Sequence, residues 1–299
     1  MTFVLCILMT FSVMEDGNFG STGFGEDLHP NEPLAVYDVT EVARWSIPAG
    51  DQALGLDYMG FWFADDVVGY VDNTNNTLYW MSTITGNSVG TPWTTDASNG
   101  NPFGLAHVPI PGDDDEVHVN DFAYDGVFFK EWDTSWADYN ALCDNMGRGM
   151  DYCVDMDKIF ELYTVANSGA YQWYVAMYTP GTSTGTTYEL DCNTGADWRG
   201  SGVALFPCLG GEMGIAVTMY DSAWIRFFEY PGNPGGMYYG YCLLPYNATM
   251  SSSYGLTYAD DQDCFYHAWT DGSDYYISRL EVTEVALEQS TWGQIKSSF

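Results

Sequence analysis

The hydrophobic positions of this chain come in short runs. "TLYWMSTITG" (77–86), "KIFELYTV" (158–165), "YQWYVAMYTPG" (171–181), "GIAVTMYDS" (214–222) and "AWIRFFEYPG" (223–232) are aromatic or β-branched and are bounded by Gly, Pro, Asn or Asp. Runs of this length and punctuation predict strands. No stretch offers three turns of amphipathic helix. The nearest, "TSWADYNALCDNM" (134–146), is short and broken by polar residues. The pattern predicts an all-β chain.

The runs repeat. "GLDY" (55–58), "GLAH" (104–107), "GMDY" (149–152), "GVAL" (202–205) and "GLTY" (255–258) share one form, with glycines 49, 45, 53 and 53 residues apart. Most of these phrases open a unit of four strand-like runs, a to d from the inside outward. Self-similarity at a period of roughly 40–50 residues marks a β-propeller, each repeat being a four-stranded blade. The last unit, "GLTYAD", "CFYHAWTDG" and "YYISRLEVTEV", lacks a fourth run, whereas an orphan, "LAVYDVTEVARWSIPAG" (34–50), precedes the first. The N-terminal strand is therefore expected to complete the last blade, which removes an exposed edge. The expectation is a single propeller of five four-stranded blades over residues 34–285. Six blades are the alternative, because "NDFAYDGVFFKEW" (120–132) also resembles a blade opening. The five glycines are read as points of close backbone approach near the axis.

The glycine phrases, with "DNTNNTLYWM" (72–81) and "TITG" (83–86), resemble repeats of the broad β-propeller superfamily, of the NHL, streptogramin-lyase-like and WD types. The Trp-Asp and Gly-His dipeptides of WD repeats are missing from repeating positions. The resemblance implies the superfold and no family within it.

Charge narrows the function. Eight Lys+Arg stand against 41 Asp+Glu, a formal charge of −33. Such a chain lacks the basic footprint that nucleic acid requires, and the same charge disfavours an anionic membrane surface. Cations, basic proteins and neutral glycans remain as partners. Residues 2–14 are almost wholly apolar, too few to span a bilayer as a helix but fitting a signal-peptide core. The reading is a signal peptide (1–17), a linker (18–33), the propeller (34–285) and a tail (286–299), in a secreted or cell-surface protein. Six cysteines beyond Cys6 then suggest disulfides. Cys143 ends one unit and Cys153 opens the next; Cys192 and Cys208, and roughly Cys242 and Cys264, stand likewise. The expected bridges are Cys143–Cys153, Cys192–Cys208 and Cys242–Cys264. A Cys153–Cys192 bridge would span strands a and d, about 14 Å, beyond disulfide reach.

Two positions after each glycine stand Asp57, Ala106, Asp151, Ala204 and Thr257. Asp57, Asp151 and Thr257 are candidate ligand groups at the channel mouth; the competing reading makes the aspartates backbone caps. In "PGDDDEVHVND" (111–121), Asp113, Asp114, Asp115 and Glu116 form a candidate Ca²⁺ loop, although its spacing is not that of an EF-hand. No G-x-S-x-G motif is present. Trp62, Trp80, Trp93, Trp132, Trp136, Trp173, Trp198, Trp224 and Trp269 exceed the usual needs of a core, and aromatics dominate interfaces. The functional expectation is a binding module for a glycan, cation or protein. One alternative is a metal-dependent hydrolase or lyase at the channel mouth; another is an inert structural repeat protein.

Overall fold

The computed structural model describes residues 35–48, 50–111, 114–123, 126–140, 142, 147–167, 170–190, 199–207, 213–229 and 238–285. Its described residues form twenty strands. Blade 1 holds β2 (Leu56–Trp62), β3 (Asp65–Asp72), β4 (Thr77–Ser82) and β5 (Trp93–Thr94). Blade 2 holds β6 (Pro102–Val108), β7 (Glu116–Asp121), β8 (Gly126–Glu131) and β9 (Ala137–Asn140). Blade 3 holds β10 (Gly147–Cys153), β11 (Lys158–Asn167), β12 (Ala170–Tyr178) and β13 (Gly185–Leu190). Blade 4 holds β14 (Gly200–Pro207), β15 (Met213–Met219), β16 (Ser222–Glu229) and β17 (Tyr238–Leu243). Blade 5 holds β18 (Ser252–Ala259), β19 (Cys264–Thr270) and β20 (Tyr275–Val285), and its fourth strand is β1 (Ala35–Ser46).

The protein is thus a five-bladed propeller closed by its N-terminal strand. β1 runs antiparallel to β20 from Val36↔Val285 to Ser46↔Tyr276, with a bulge between Glu41 and Ala43. It also pairs in parallel with β17 at Ala35↔Gly240 and Val36↔Tyr241, so blades 4 and 5 share one eight-stranded sheet. The six-blade alternative falls because 120–132 spans the end of β7 and all of β8, inside blade 2. The segment that came nearest to a helix carries strand β9. Among the described residues no helix is long and apolar enough to cross a membrane.

The five glycines close the ring. A Cβ on Gly149 would stand 2.5 Å from the Val203 amide nitrogen and 2.7 Å from the Gly202 Cα. One on Gly202 would meet the Tyr254 carbonyl oxygen at 2.5 Å, and one on Gly255 would meet the Leu54 oxygen and Leu56 nitrogen at 2.7 Å. Gly55 abuts Phe103–Leu105, and Gly104 abuts the Arg148 carbonyl. Each phrase therefore rests on the next phrase around the axis. The obstructing atoms are backbone, which cannot step aside, so the requirement is for a missing Cβ rather than for an unusual φ. The residues after the glycines, Leu56, Leu105, Met150, Val203 and Leu256, are buried between blades. Each contributes about 1.5–3 kcal/mol by burial.

The cysteine expectations need correction. Cys153, Cys242 and Cys264 are free, buried thiols. Cys242 lies on β17 and Cys264 on β19, and the sheet runs β17-β1-β20-β19. Three inter-strand steps, roughly 14 Å, separate them, so Cys242–Cys264 cannot form. The inserted β1 makes neighbours in sequence distant in the sheet. Cys153 is not bridged to Cys143, which lies outside the described residues, as do Cys192 and Cys208. The expected signal peptide, linker and tail lie outside them too.

Candidate functional site

The third letter of the glycine phrase binds one blade to the next. Asp57 on β2 accepts a hydrogen bond from the His107 amide of blade 2. Its other oxygen accepts from the Thr257 hydroxyl of blade 5 at 2.9 Å. Thr257 in turn accepts from the Tyr58 amide at 3.1 Å, joining blade 5 to blade 1. Asp151 on β10 accepts from the Leu205 amide of blade 4 at 2.6 Å, and from its own neighbour Tyr152 at 2.7 Å. These amides lie on the innermost strands, whose axial edges have no partner strand. A side chain of the preceding blade supplies the missing acceptor. The candidates Asp57, Asp151 and Thr257 are thus brought together around the axis as clasps.

The arrangement has an electrostatic cost. Asp57 and Asp151 are only 4% and 8% exposed. Burial outweighs the bonds that favour the charged form and pushes Asp57 up to about 7. Burial, aided by the Asp57 charge, raises Asp151 well above the ordinary carboxylate range. The two titrate as a pair. Asp260, just beyond β18, is also raised by burial and by the nearby Asp261 and Asp155.

The inner strands end on one face, here called upper, and begin on the lower face. The lower end of the channel is crossed by side chains that precede the glycines. Phe103 of blade 2 and Tyr254 of blade 5 are 6.4 Å apart, with Phe122 beside Phe103 at 5.7 Å and Tyr220 beside Tyr254 at 5.5 Å. The buried Arg148 guanidinium lies over Phe122 at 4.8 Å and over Phe103 at 5.6 Å. Asp57 and Asp151 lie toward the upper end, two residues past the glycines.

Asp115 and Glu116 each meet a histidine that sequence reasoning left aside. Asp115 bonds the His107 ring at 2.9 Å and accepts from the Ile110 amide at 3.2 Å. Glu116 bonds the buried His118 at 2.8 Å, and the other His118 nitrogen meets the Tyr139 hydroxyl at 3.1 Å. Burial lowers both histidines, opposed by their carboxylates. Asp113 lies outside the described residues. Among the described residues, no three His, Cys, Asp or Glu side chains are grouped to hold a metal ion.

The upper face carries one further feature, at the boundary of blades 1 and 2. Trp62 ends β2, Phe63 begins the turn to β3, Trp93 is on β5, and Trp132 is in the β8–β9 turn. The Trp62 ring lies 6.5 Å from Trp93 and 6.0 Å from Trp132; Trp93 and Trp132 are 5.2 Å apart. Phe63 reaches Trp132 at 5.2 Å. His107 meets Trp62 edge-on at 5.3 Å, and the buried Trp80 backs the group, 5.1 Å from Trp93. Trp136 ties the two blades by donating its indole N–H to the Thr94 carbonyl at 2.9 Å. Trp132 nevertheless remains 41% exposed, and Phe61, on the opposite face of β2 from Trp62, is 73% exposed.

The local backbone is unusual. β2 bulges between Tyr58 and Gly60, where φ is +68°. Phe63 and Ala64 then turn the hairpin with φ of +53° and +65°. Two consecutive left-handed residues that are not Gly, Asn or Asp cost about 1–3 kcal/mol each. Packing holds them there: the Phe63 ring lies against Gly90, where a Cβ would come within 2.6 Å. Trp62, Trp93 and Trp132 stood out in the sequence as surplus tryptophans. Phe61 and Phe63 did not, and only the "FWFA" turn without Gly or Asn could have drawn attention to them.

Among solved structures the chain resembles a glutaminyl cyclase of Myxococcus xanthus, with a TM-score of 0.55 at 13% identity over 84% of this chain and 100% of that one. A virginiamycin B lyase of Staphylococcus aureus has a TM-score of 0.44 at 12% identity, covering 85% of this chain and 75% of that one. A chain of a nidogen/laminin complex has a TM-score of 0.46 at 13% identity, covering 78% and 84%. At such identities the likeness extends to the propeller fold alone. No protein-family model and no curated protein matches the chain.

Proposed function

We propose that this propeller is a binding module and that it holds its ligand on the upper face, at the aromatic ledge of blades 1 and 2. One observation carries the reading: four large aromatics from three separate segments converge there, and Trp132 is left open to solvent. Exposed tryptophan in a rigid setting is the residue type that concentrates binding energy at interfaces. The strained 63–64 turn fits the same reading, since strain of this kind gathers at ligand-contacting sites.

The test is an array of glycans and peptides probed with the wild-type protein and with Trp132→Ala. Capture that Trp132→Ala removes while the protein stays folded supports the ledge. Ligands captured equally well by both proteins would overturn it.

A second reading has its own support. Burial pushes Asp57 up to about 7 at the upper end of the channel, and carboxyls perturbed in this way gather at functional sites. Both Asp57 oxygens are occupied by neighbouring blades, however. A hydrolase or lyase reading therefore requires turnover that Asp57→Asn abolishes, and turnover unchanged in that variant would end it.

A further inference from the structure

We propose that the ledge recognises cationic side chains, so that its partner is a polypeptide segment bearing lysine or arginine. The inference rests on the ledge being the binding surface and adds the chemistry of what it takes.

The protein already seats an ammonium group there. The Lys130 Nζ stands 5.2 Å from the centre of the Trp93 ring. It is held in place by donating a hydrogen bond to the Thr134 carbonyl, within the turn that bears Trp132. An ammonium over an indole is attracted by the negative face of the ring, most strongly for Trp. The turns that form the ledge are acidic. Asp65 is the cross-strand partner of Trp62, and Asp66 that of Phe61. Glu131 and Asp133 flank Trp132, and Asp115 lies behind Trp62 on His107. Asp65, Glu131, Asp133 and Asp115 thus stand next to the ledge residues in the strands and turns that carry them, Asp66 lying with Phe61 on the other face of the hairpin, in a chain whose formal charge is −33. Such a field draws in cations and repels anions before contact, and the indole faces then supply short-range attraction. Among the described residues, nothing accepts a hydrogen bond from the Trp93 or Trp132 indole nitrogen. Both remain available to backbone carbonyls of a docked segment.

Lys130 is then an internal competitor. Its removal vacates one indole face and one positive charge, which should favour a cationic ligand and leave a neutral one indifferent.

The experiment is a titration of the full-length protein with acetylated, amidated hexalysine, followed by calorimetry at about 50 and 300 mM salt, with hexaglutamine as the neutral control. Any protein this acidic attracts oligolysine, so the comparison among variants decides. We expect Trp132→Ala, which changes no charge, to weaken hexalysine binding about tenfold. Lys130→Gln should strengthen it a few-fold. Asp38→Asn and Asp274→Asn, exposed carboxylates on blade 5, should leave it within a factor of two. Equal affinity in wild type, Trp132→Ala and Lys130→Gln would overturn the proposal, because a diffuse field would then explain all the binding. So would a ledge that captures neutral glycans or hexaglutamine as strongly as hexalysine; that result would keep the ledge as the binding surface while refuting its cationic partner. Thermal unfolding of each variant, compared with wild type, excludes misfolding as the cause of a lost signal.

Discussion

Two parts of this propeller are built from the same materials and used differently. In blade 5, Tyr246, Trp269 and Tyr276 form a stack with centroid spacings of 4.3 and 4.6 Å. Arg44, from the closing strand β1, lies 4.9 Å over Trp269. Its polar groups are linked in a chain: the Trp269 indole donates to Ser278, Ser278 donates to Glu41, and Glu41 pairs with Arg44. Tyr246 also meets His267, whose other nitrogen meets Ser253. Burial pushes His267 down to about 3, so it stays neutral. Trp269 is 1% exposed. At the boundary of blades 1 and 2, tryptophans gather beside Lys130, yet Trp132 is 41% exposed and, among the described residues, nothing accepts from its indole nitrogen. The contrast shows that an aromatic cluster is not itself a sign of function. Saturation and burial mark a lock on the ring; openness and unused donors mark a surface.

The largest expected effect lies with the glycines of the two regions. Gly255, at the boundary where blade 5 meets blade 1, faces backbone. Gly255→Ala should cost more than about 4 kcal/mol or prevent folding, as judged by urea unfolding. Gly90, under the ledge, has a φ of +64°, which strains an alanine there, but its nearest atoms belong to the Phe63 ring, a side chain that can move. Gly90→Ala should yield a folded protein with a displaced Phe63 and altered tryptophan fluorescence. Equal losses at both sites would erase the distinction.

Next comes the buried tryptophan of the lock. Trp269→Ala should destabilise by about 3–5 kcal/mol, the usual result of emptying a large buried site, measured by the same unfolding curves. A loss under about 1 kcal/mol would mean that the stack is not holding β1.

The axial clasp predicts a pH dependence. A carboxyl raised in the fold from an ordinary 3.8 to about 7 binds a proton that the unfolded chain releases. Its contribution is fully present below about pH 4 and is lost as pH rises through 7. The wild type should therefore gain stability from pH 8 to pH 5 relative to Asp57→Asn. Asparagine can keep one oxygen for the His107 amide and carries no charge, so the variant should be the more stable protein at pH 8. Parallel pH profiles for the two proteins would refute the assignment.

The smallest effects concern the cations. Arg44→Ala should cost about 1–2 kcal/mol, through its three ring contacts and Glu41. Lys130→Gln, at an exposed site, should cost no more than about 0.5 kcal/mol in unfolding experiments.

The ring was legible in the sequence because it is periodic. Five glycine phrases announced five blades, and the unit lacking its fourth strand announced the role of β1. What stayed hidden joins residues far apart along the chain. Asp57 serves an amide fifty positions on and a hydroxyl two hundred positions on. No local pattern could decide between a cap and a site, and the outcome is a cap whose burial perturbs its titration. The ledge draws on residues 62, 63, 93 and 132, and its openness depends on what fails to cover it. The Cys242–Cys264 pairing went astray for the opposite reason. It assumed that sequence order follows sheet order, and β1 breaks that order by entering from the other end of the chain.

The most direct test of the account is the urea unfolding of Trp132→Ala. A surface residue of this kind should cost below about 1.5 kcal/mol while ligand capture disappears. A loss of about 3 kcal/mol or more, like that expected at Trp269, would contradict the account, because the ledge would then be core.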